Sequence, residues 1–144
     1  MTDLNGSCRC GAVRLQTRGF PSRVGLCHCI DCRKHHGSLF HASAIFPEAA
    51  VTIEGMTGSY AGRHFCTTCF SPVFAVTGDE IEIPLGTLDK PDVFVPTYEL
   101  WTIRRESWLP PFEGMRTYCR DRENPDPHEG PIISGPGLPR HSER

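Results

Sequence analysis

The chain has 144 residues, 15 lysines and arginines against 17 aspartates and glutamates, and a formal net charge of -2. That length fits one domain with a modest core, and the near-balanced charge offers no basic stripe for nucleic acid or an anionic membrane surface. Apolar residues make up 38% while glycine and proline number 14 and 13, which predicts a turn-rich protein of short strands rather than long helices.

Residues 1–7 lack the basic-then-apolar order of a signal segment, and no apolar run reaches the roughly 18 residues that span a bilayer. The expectation is a cytoplasmic protein with no membrane partner, working on small molecules or proteins. Gly6-Ser7-Cys8-Arg9-Cys10-Gly11 reads as a tight turn feeding a strand over Ala12–Thr17, with Val13 and Leu15 inward. Gly19-Phe20-Pro21 ends it. Ile30–His36 has room for two helical turns, Asp31 near its start and Gly37 as its stop. A strand over Ser38–Phe46, closed by Pro47, follows. Short strands are predicted at Val51-Thr52-Ile53 and Gly58-Ser59-Tyr60, then a hairpin of Pro72–Val76 and Glu80–Ile83 across Gly78-Asp79. Tyr98–Ile103 is the last strand, with Trp108 and Phe112 locking the loop after it. A folded domain over 1–119 is thus predicted to precede a Pro/Gly-rich flexible tail over 120–144, where Ile132-Ile133 is the one patch able to anchor to a neighbour.

Seven of the eight cysteines fall into three tight groups: Cys8 and Cys10, then Cys27, Cys29 and Cys32, then Cys66 and Cys69. A disulfide framework needs an oxidising context, and Cys-x-Cys spacing strains an internal bridge, so metal or thiolate roles are favoured. Cys8, Cys10, Cys66 and Cys69 supply the four thiolates that a closed structural zinc site requires. Cys27, Cys29 and Cys32 supply three and leave a fourth position for water, a substrate thiolate, or His35, His36 or His41. Arg33 and Lys34 follow as two fixed cations that lower thiol pKa values or steer an anionic substrate. His28 is expected to cap a turn or hydrogen-bond outward. Cys119 lies outside both groups as a free or partly buried thiol. Trp101, Trp108 and Phe112 read as core and loop anchors, and Phe40 and Phe46 as core residues near the trio.

Gly6-Ser7-Cys8-x-Cys10-Gly11-Ala12-Val13, Cys27-His28-Cys29-x-x-Cys32-Arg33-Lys34-x-x-Gly37, Arg63-x-Phe65-Cys66-x-x-Cys69 and Ser71-Pro72-Val73-Phe74 together resemble the glutathione-dependent formaldehyde-activating enzyme family, which includes the centromere protein V domain. The resemblance runs from about Gly6 to Trp108. It implies a mainly β fold, a β-tent of small antiparallel sheets like that of a Rab-binding chaperone, stapled by zinc and carrying one short helix. It also implies about two zinc ions per chain, a structural one on the quartet and an active-site one on the trio, with glutathione as cosubstrate. The implied activity is that of a carbon-sulfur lyase, joining a thiol to formaldehyde or another small aldehyde, with Arg33 and Lys34 as glutathione contacts. A glutathione-binding carrier and a non-catalytic, zinc-stapled interaction module are the alternatives. Phe70 stands where the family usually has glycine, and Glu99 where a histidine often stands.

Overall fold

The computed structural model describes residues 3–123 and 132–133. In chain order come strands β1 Leu4–Ser7, β2 Arg14–Thr17 and β3 Arg23–Cys27, helix α1 Ile30–His36, then β4 His41–Pro47, β5 Val51–Glu54 and β6 Thr57–Tyr60. β7 Arg63–Cys66, β8 Pro72–Thr77, β9 Glu80–Pro84, β10 Phe94–Val95, β11 Tyr98–Leu100, β12 Arg116–Thr117 and β13 Ile132–Ile133 follow. The protein is mainly β, and among the described residues no helix is long and apolar enough to cross a membrane. Two compact units divide the chain, one of Met1–Ser22 with Ala44–Pro91 and one of Arg23–Ser43 with Asp92–Arg144.

In the first unit β2 lies between β1 and β5, antiparallel to both. Its exposed-buried alternation, Arg14 and Gln16 out, Leu15 and Thr17 in, follows from the period-two geometry of a strand with one covered face. Val13 is fully buried just before the strand begins. β1 has no alternation of its own to announce it; its Leu4-Asn5-Gly6-Ser7 register is set by pairing with β2. A second antiparallel ladder runs β9-β8-β7-β6. Its β8–β9 hairpin closes at Gly78-Asp79 as the sequence predicts, with Thr77 opposite Glu80. Phe46, Val73 and Ile83 are fully buried in this unit.

In the second unit β11 runs parallel to both β3 and β12. Tyr98 pairs with Gly25 in that register, and a Cβ on Gly25 would stand 2.2 Å from the Tyr98 ring, so glycine is what lets the ring seat across β3. α1 spans the residues expected of it and ends at Gly37, whose left-handed φ of 59° and amide bond to the Arg33 carbonyl form the C-cap.

Three expectations are corrected by the structure. The strand expected from Ser38 starts at His41, because the Ser38 hydroxyl donates to the Phe40 carbonyl at 2.7 Å and holds that stretch in a turn. The strand expected over Tyr98–Ile103 stops at Leu100: Trp101 takes a φ of 55°, and the amides of Trp101 and Thr102 turn to the carbonyls of Arg120 and Tyr118. Trp108 is 67% exposed rather than a buried anchor, while Phe112 does pack, its ring 5.6 Å from that of Phe40. Ile132 and Ile133 form β13, antiparallel to β10 with Phe94 opposite Ile133. The rest of the predicted tail beyond residue 123 lies outside the described residues.

Candidate metal centres

The quartet grows from two backbone knuckles in the first unit. Cys8 donates its amide to the Val13 carbonyl and receives the Gly11 amide, which folds Cys8 and Cys10 onto one turn ahead of β2. Cys66 ends β7, and its carbonyl accepts the Phe70 amide at 2.9 Å, folding Cys69 back beside it. Phe70 closes this turn in the left-handed region at φ 62°, where glycine carries no penalty, and its ring is 68% exposed. The four sulfurs lie within 4.8 Å of one another, with Cys8 and Cys10 3.6 Å apart and Cys10 and Cys66 3.7 Å apart. A disulfide brings sulfurs to about 2.05 Å. A tetrahedron of thiolates at the usual zinc-sulfur distance of about 2.3 Å has edges of about 3.8 Å, so the donors fit such an ion.

The surrounding hydrogen bonds also suit sulfur anions. The Val13 amide donates to Cys8 Sγ at 3.2 Å, and the amides of Thr68 and Cys69 donate to Cys66 Sγ at 3.3 and 3.5 Å. The Ser71 hydroxyl, 3.1 Å from Cys69 Sγ, holds that thiol down at about 5. For Cys8, burial raises the thiol, but the Val13 amide and the neighbouring Cys10 and Cys66 bring it below its ordinary value. Cys10 carries the opposite burden: the Ala12 amide pulls it down, yet burial and the three adjacent thiols push it up to about 11. Cys69 is thus ready as a thiolate at neutral pH, whereas Cys10 would give up its proton on binding a cation.

The trio is built in the second unit where strand meets helix. Cys27 is the last residue of β3, Cys29 is the N-cap of α1, and its sulfur accepts the Cys32 amide at 3.3 Å. Cys32 is buried in the first helical turn. All three sulfurs lie within 4.8 Å, and among the described residues no histidine, carboxylate or further cysteine joins them within that span. His35, His36 and His41 stack on one another instead, His36 on His41 with centroids 4.0 Å apart and His35 edge-on to His36 at 4.8 Å. The adjacent Cys32 thiol and burial push the Cys27 thiol up, and burial first of all pushes Cys29 up. Bare thiols in that state are poor nucleophiles at neutral pH, whereas three thiolates around a divalent cation are stable, so this donor set also fits a metal.

Sequence reasoning missed the residues beside the trio. His28, expected to face outward, is fully buried, and its Nε2 lies 2.9 Å from Glu99 Oε1. The same Glu99 oxygen accepts a hydrogen bond from Arg105 Nε at 3.2 Å. The available signal was the pairing of a lone acidic residue in an apolar strand with an arginine six positions on. Arg33 donates to the Arg104 carbonyl at 3.1 Å and to Glu106 Oε1 at 2.6 Å, tying α1 to that segment, while Lys34 is exposed. Half-buried Trp101 donates its Nε1–H to Asp121 Oδ1 at 2.8 Å, and Cys119 is an exposed free thiol.

A family model described as "Glutathione-dependent formaldehyde-activating enzyme" matches residues 3–104, a span holding both cysteine clusters and Glu99. No curated protein matches the chain. Among solved structures, a crystal structure of a Rhodobacter sphaeroides protein is similar at 18% identity with a TM-score of 0.49, covering 61% of this chain and 92% of that one.

Proposed function

The chain belongs to the glutathione-dependent formaldehyde-activating enzyme family, and from that membership we propose that it joins glutathione, or a similar thiol, to formaldehyde or another small aldehyde at Cys27, Cys29 and Cys32. The observation that carries this reading is the trio itself, three gathered sulfurs with no fourth donor beside them among the described residues. A reactive zinc site differs from a structural one by such an open position.

In the addition the sulfur electron pair forms the C–S bond, the C=O π pair moves onto oxygen, and the proton lost from sulfur ends on that oxygen. Nothing is oxidised or reduced. Cys27, Cys29 and Cys32 would hold zinc, which would supply positive charge to favour the thiolate of a bound thiol and polarise a carbonyl. The chain's own residues set the stage for that chemistry. Cys29 and Cys32 are fixed in one turn by the capping hydrogen bond, and Cys27 is fixed by the β3–β11 ladder opposite Leu100. Lys34 presents an exposed cation on α1 toward an anionic tripeptide. Arg33, engaged with Glu106, holds the helix that carries two of the sulfurs. On this reading the quartet's zinc is structural, and the protein works in the cytoplasm, where thiols stay reduced.

The test is exchange between labelled formaldehyde and its glutathione adduct, followed by NMR with and without the full-length protein. The proposal expects exchange above the uncatalysed rate, lost in Cys29→Ala. Background exchange in a protein carrying both ions, with glutathione bound, would identify a carrier instead.

A further inference from the structure

His28 is the one residue between Cys27, where β3 ends, and Cys29, the N-cap of α1. The trio therefore draws on two elements that meet at a single residue: one sulfur rides the strand and two ride the first turn of the helix. We infer that His28, Glu99 and Arg105 form a positioning relay that fixes the angle between strand and helix, and with it the spacing of the three sulfurs as a metal site.

Backbone and side chain of His28 are both held by β11. Its amide donates to the Leu100 carbonyl at 3.0 Å, which carries the parallel ladder one residue past Cys27. Its Nε2 meets Glu99 Oε1 at 2.9 Å; a carboxylate accepts, so Nε2 carries the hydrogen and the ring orientation is set. Glu99 is 2% exposed and shares that oxygen with Arg105 Nε. Arg105 is held in turn, donating to the Leu109 carbonyl at 2.6 Å and to the Pro110 carbonyl, with its guanidinium over the Phe112 ring at 5.6 Å.

The residues on either side of Arg105 complete the device. The Arg104 carbonyl and the Glu106 carboxylate both receive the guanidinium of Arg33, which belongs to α1. The run Arg104-Arg105-Glu106 thus holds the helix through Arg33 and the strand-helix junction through Glu99. A purely space-filling role for His28 explains less. Among the described residues its buried Nδ1 has no hydrogen-bond partner, a destabilising condition that an aliphatic side chain of similar volume would avoid. What the imidazole adds is the directional bond to Glu99, with the Phe40 ring 5.5 Å away on another side.

This inference rests on the trio being a metal site, and the quartet, wholly within the other unit, serves as an internal control. The experiment is a zinc competition titration of the full chain against a chromogenic chelator, with cobalt(II) absorption to resolve the two sites. Glu99→Gln keeps the shape and one acceptor but removes the charge that faces Arg105. It is expected to weaken the trio about tenfold or more while the quartet stays within about twofold, the scale of effect that outer hydrogen-bond partners have on metal sites. Arg105→Lys, which keeps the charge and loses the fork, is expected to act in the same direction. Equal weakening of both sites, or an unchanged trio in these variants, would overturn the relay. Loss of folding in both would assign these residues to stability alone and overturn it too. A wild-type chain binding one ion that survives Cys29→Ala would overturn the metal reading beneath it, a different failure from that of the relay.

Discussion

On the proposed function the two cysteine clusters use the same atom for opposite ends. The quartet joins sulfurs 56 residues apart, Cys10 and Cys66, and its members include two thiols held below their ordinary range. The trio occupies a six-residue stretch, Cys27 to Cys32, and burial and crowding push two of its thiols up. Closing the longer span removes about 2 kcal/mol more chain entropy than closing the shorter one, so a bound ion there acts mainly on folding. An ion on the trio orders little that α1 and β3 have not already ordered. Its binding energy remains available for a ligand.

The largest effect that separates the clusters is therefore expected from Cys66→Ser. Cys66 is fully buried, and losing its sulfur should release the quartet's ion and forfeit roughly 3–4 kcal/mol of loop closure. Thermal unfolding followed by circular dichroism should show a collapsed or lost transition. Cys29→Ala should do the reverse, abolishing thiol-aldehyde exchange while the melting transition stays within a few degrees of wild type. A melting loss equal to that of Cys66→Ser would erase the distinction.

A milder separation comes from pH. Metal binding needs thiolates, so affinity falls by up to about tenfold per pH unit for each thiol that must release a proton. Between pH 7 and 6 Cys27 and Cys29, raised above their ordinary value, are protonated before binding and must release protons. Cys69, held at about 5, is already deprotonated throughout that window and releases none, but Cys10 of the same cluster, pushed up to about 11, does. Acidification should thus weaken both sites, the quartet being spared the proton of Cys69, as read by chelator competition at each pH. An affinity unchanged between pH 7 and 6 at either cluster would contradict thiolate ligation there.

Much of this was legible in the chain. Ligand spacing exposed both clusters, because Cys-x-Cys and Cys-x-x-Cys place sulfurs on one turn regardless of the rest of the fold. Helix α1 was readable from Asp31, the pattern to His36 and the stop at Gly37. Glu99, Arg105 and the inward His28 were not, since the members of an ion pair between Glu99 and Arg105 look in sequence like two solvated residues, and only the parallel β3–β11 register brings His28 to Glu99. Strand β1 escaped for a related reason: its order comes from a partner rather than from its own residues. The strand ended before Trp101 because the amides of Trp101, Thr102 and Ile103 donate to the carbonyls of residues 118–120.

The smallest expected effect concerns the quartet's turn. Phe70→Gly removes a left-handed side chain that packs against little, and should stabilise the chain by at most about 1 kcal/mol after the added freedom of glycine in the unfolded state is counted. The readout is a melting temperature raised by a few degrees or left unchanged. A clear drop would show that the exposed ring serves a purpose in the folded molecule.

The most direct test of the contrast between the clusters is zinc content per chain, measured by elemental analysis on protein purified without added metal, beside Cys29→Ala and Cys66→Ser. The account predicts two ions in the wild type, one in a folded Cys29→Ala chain, and a Cys66→Ser chain that fails to fold normally. One wild-type ion that survives Cys29→Ala would contradict it, leaving the trio as thiols alone.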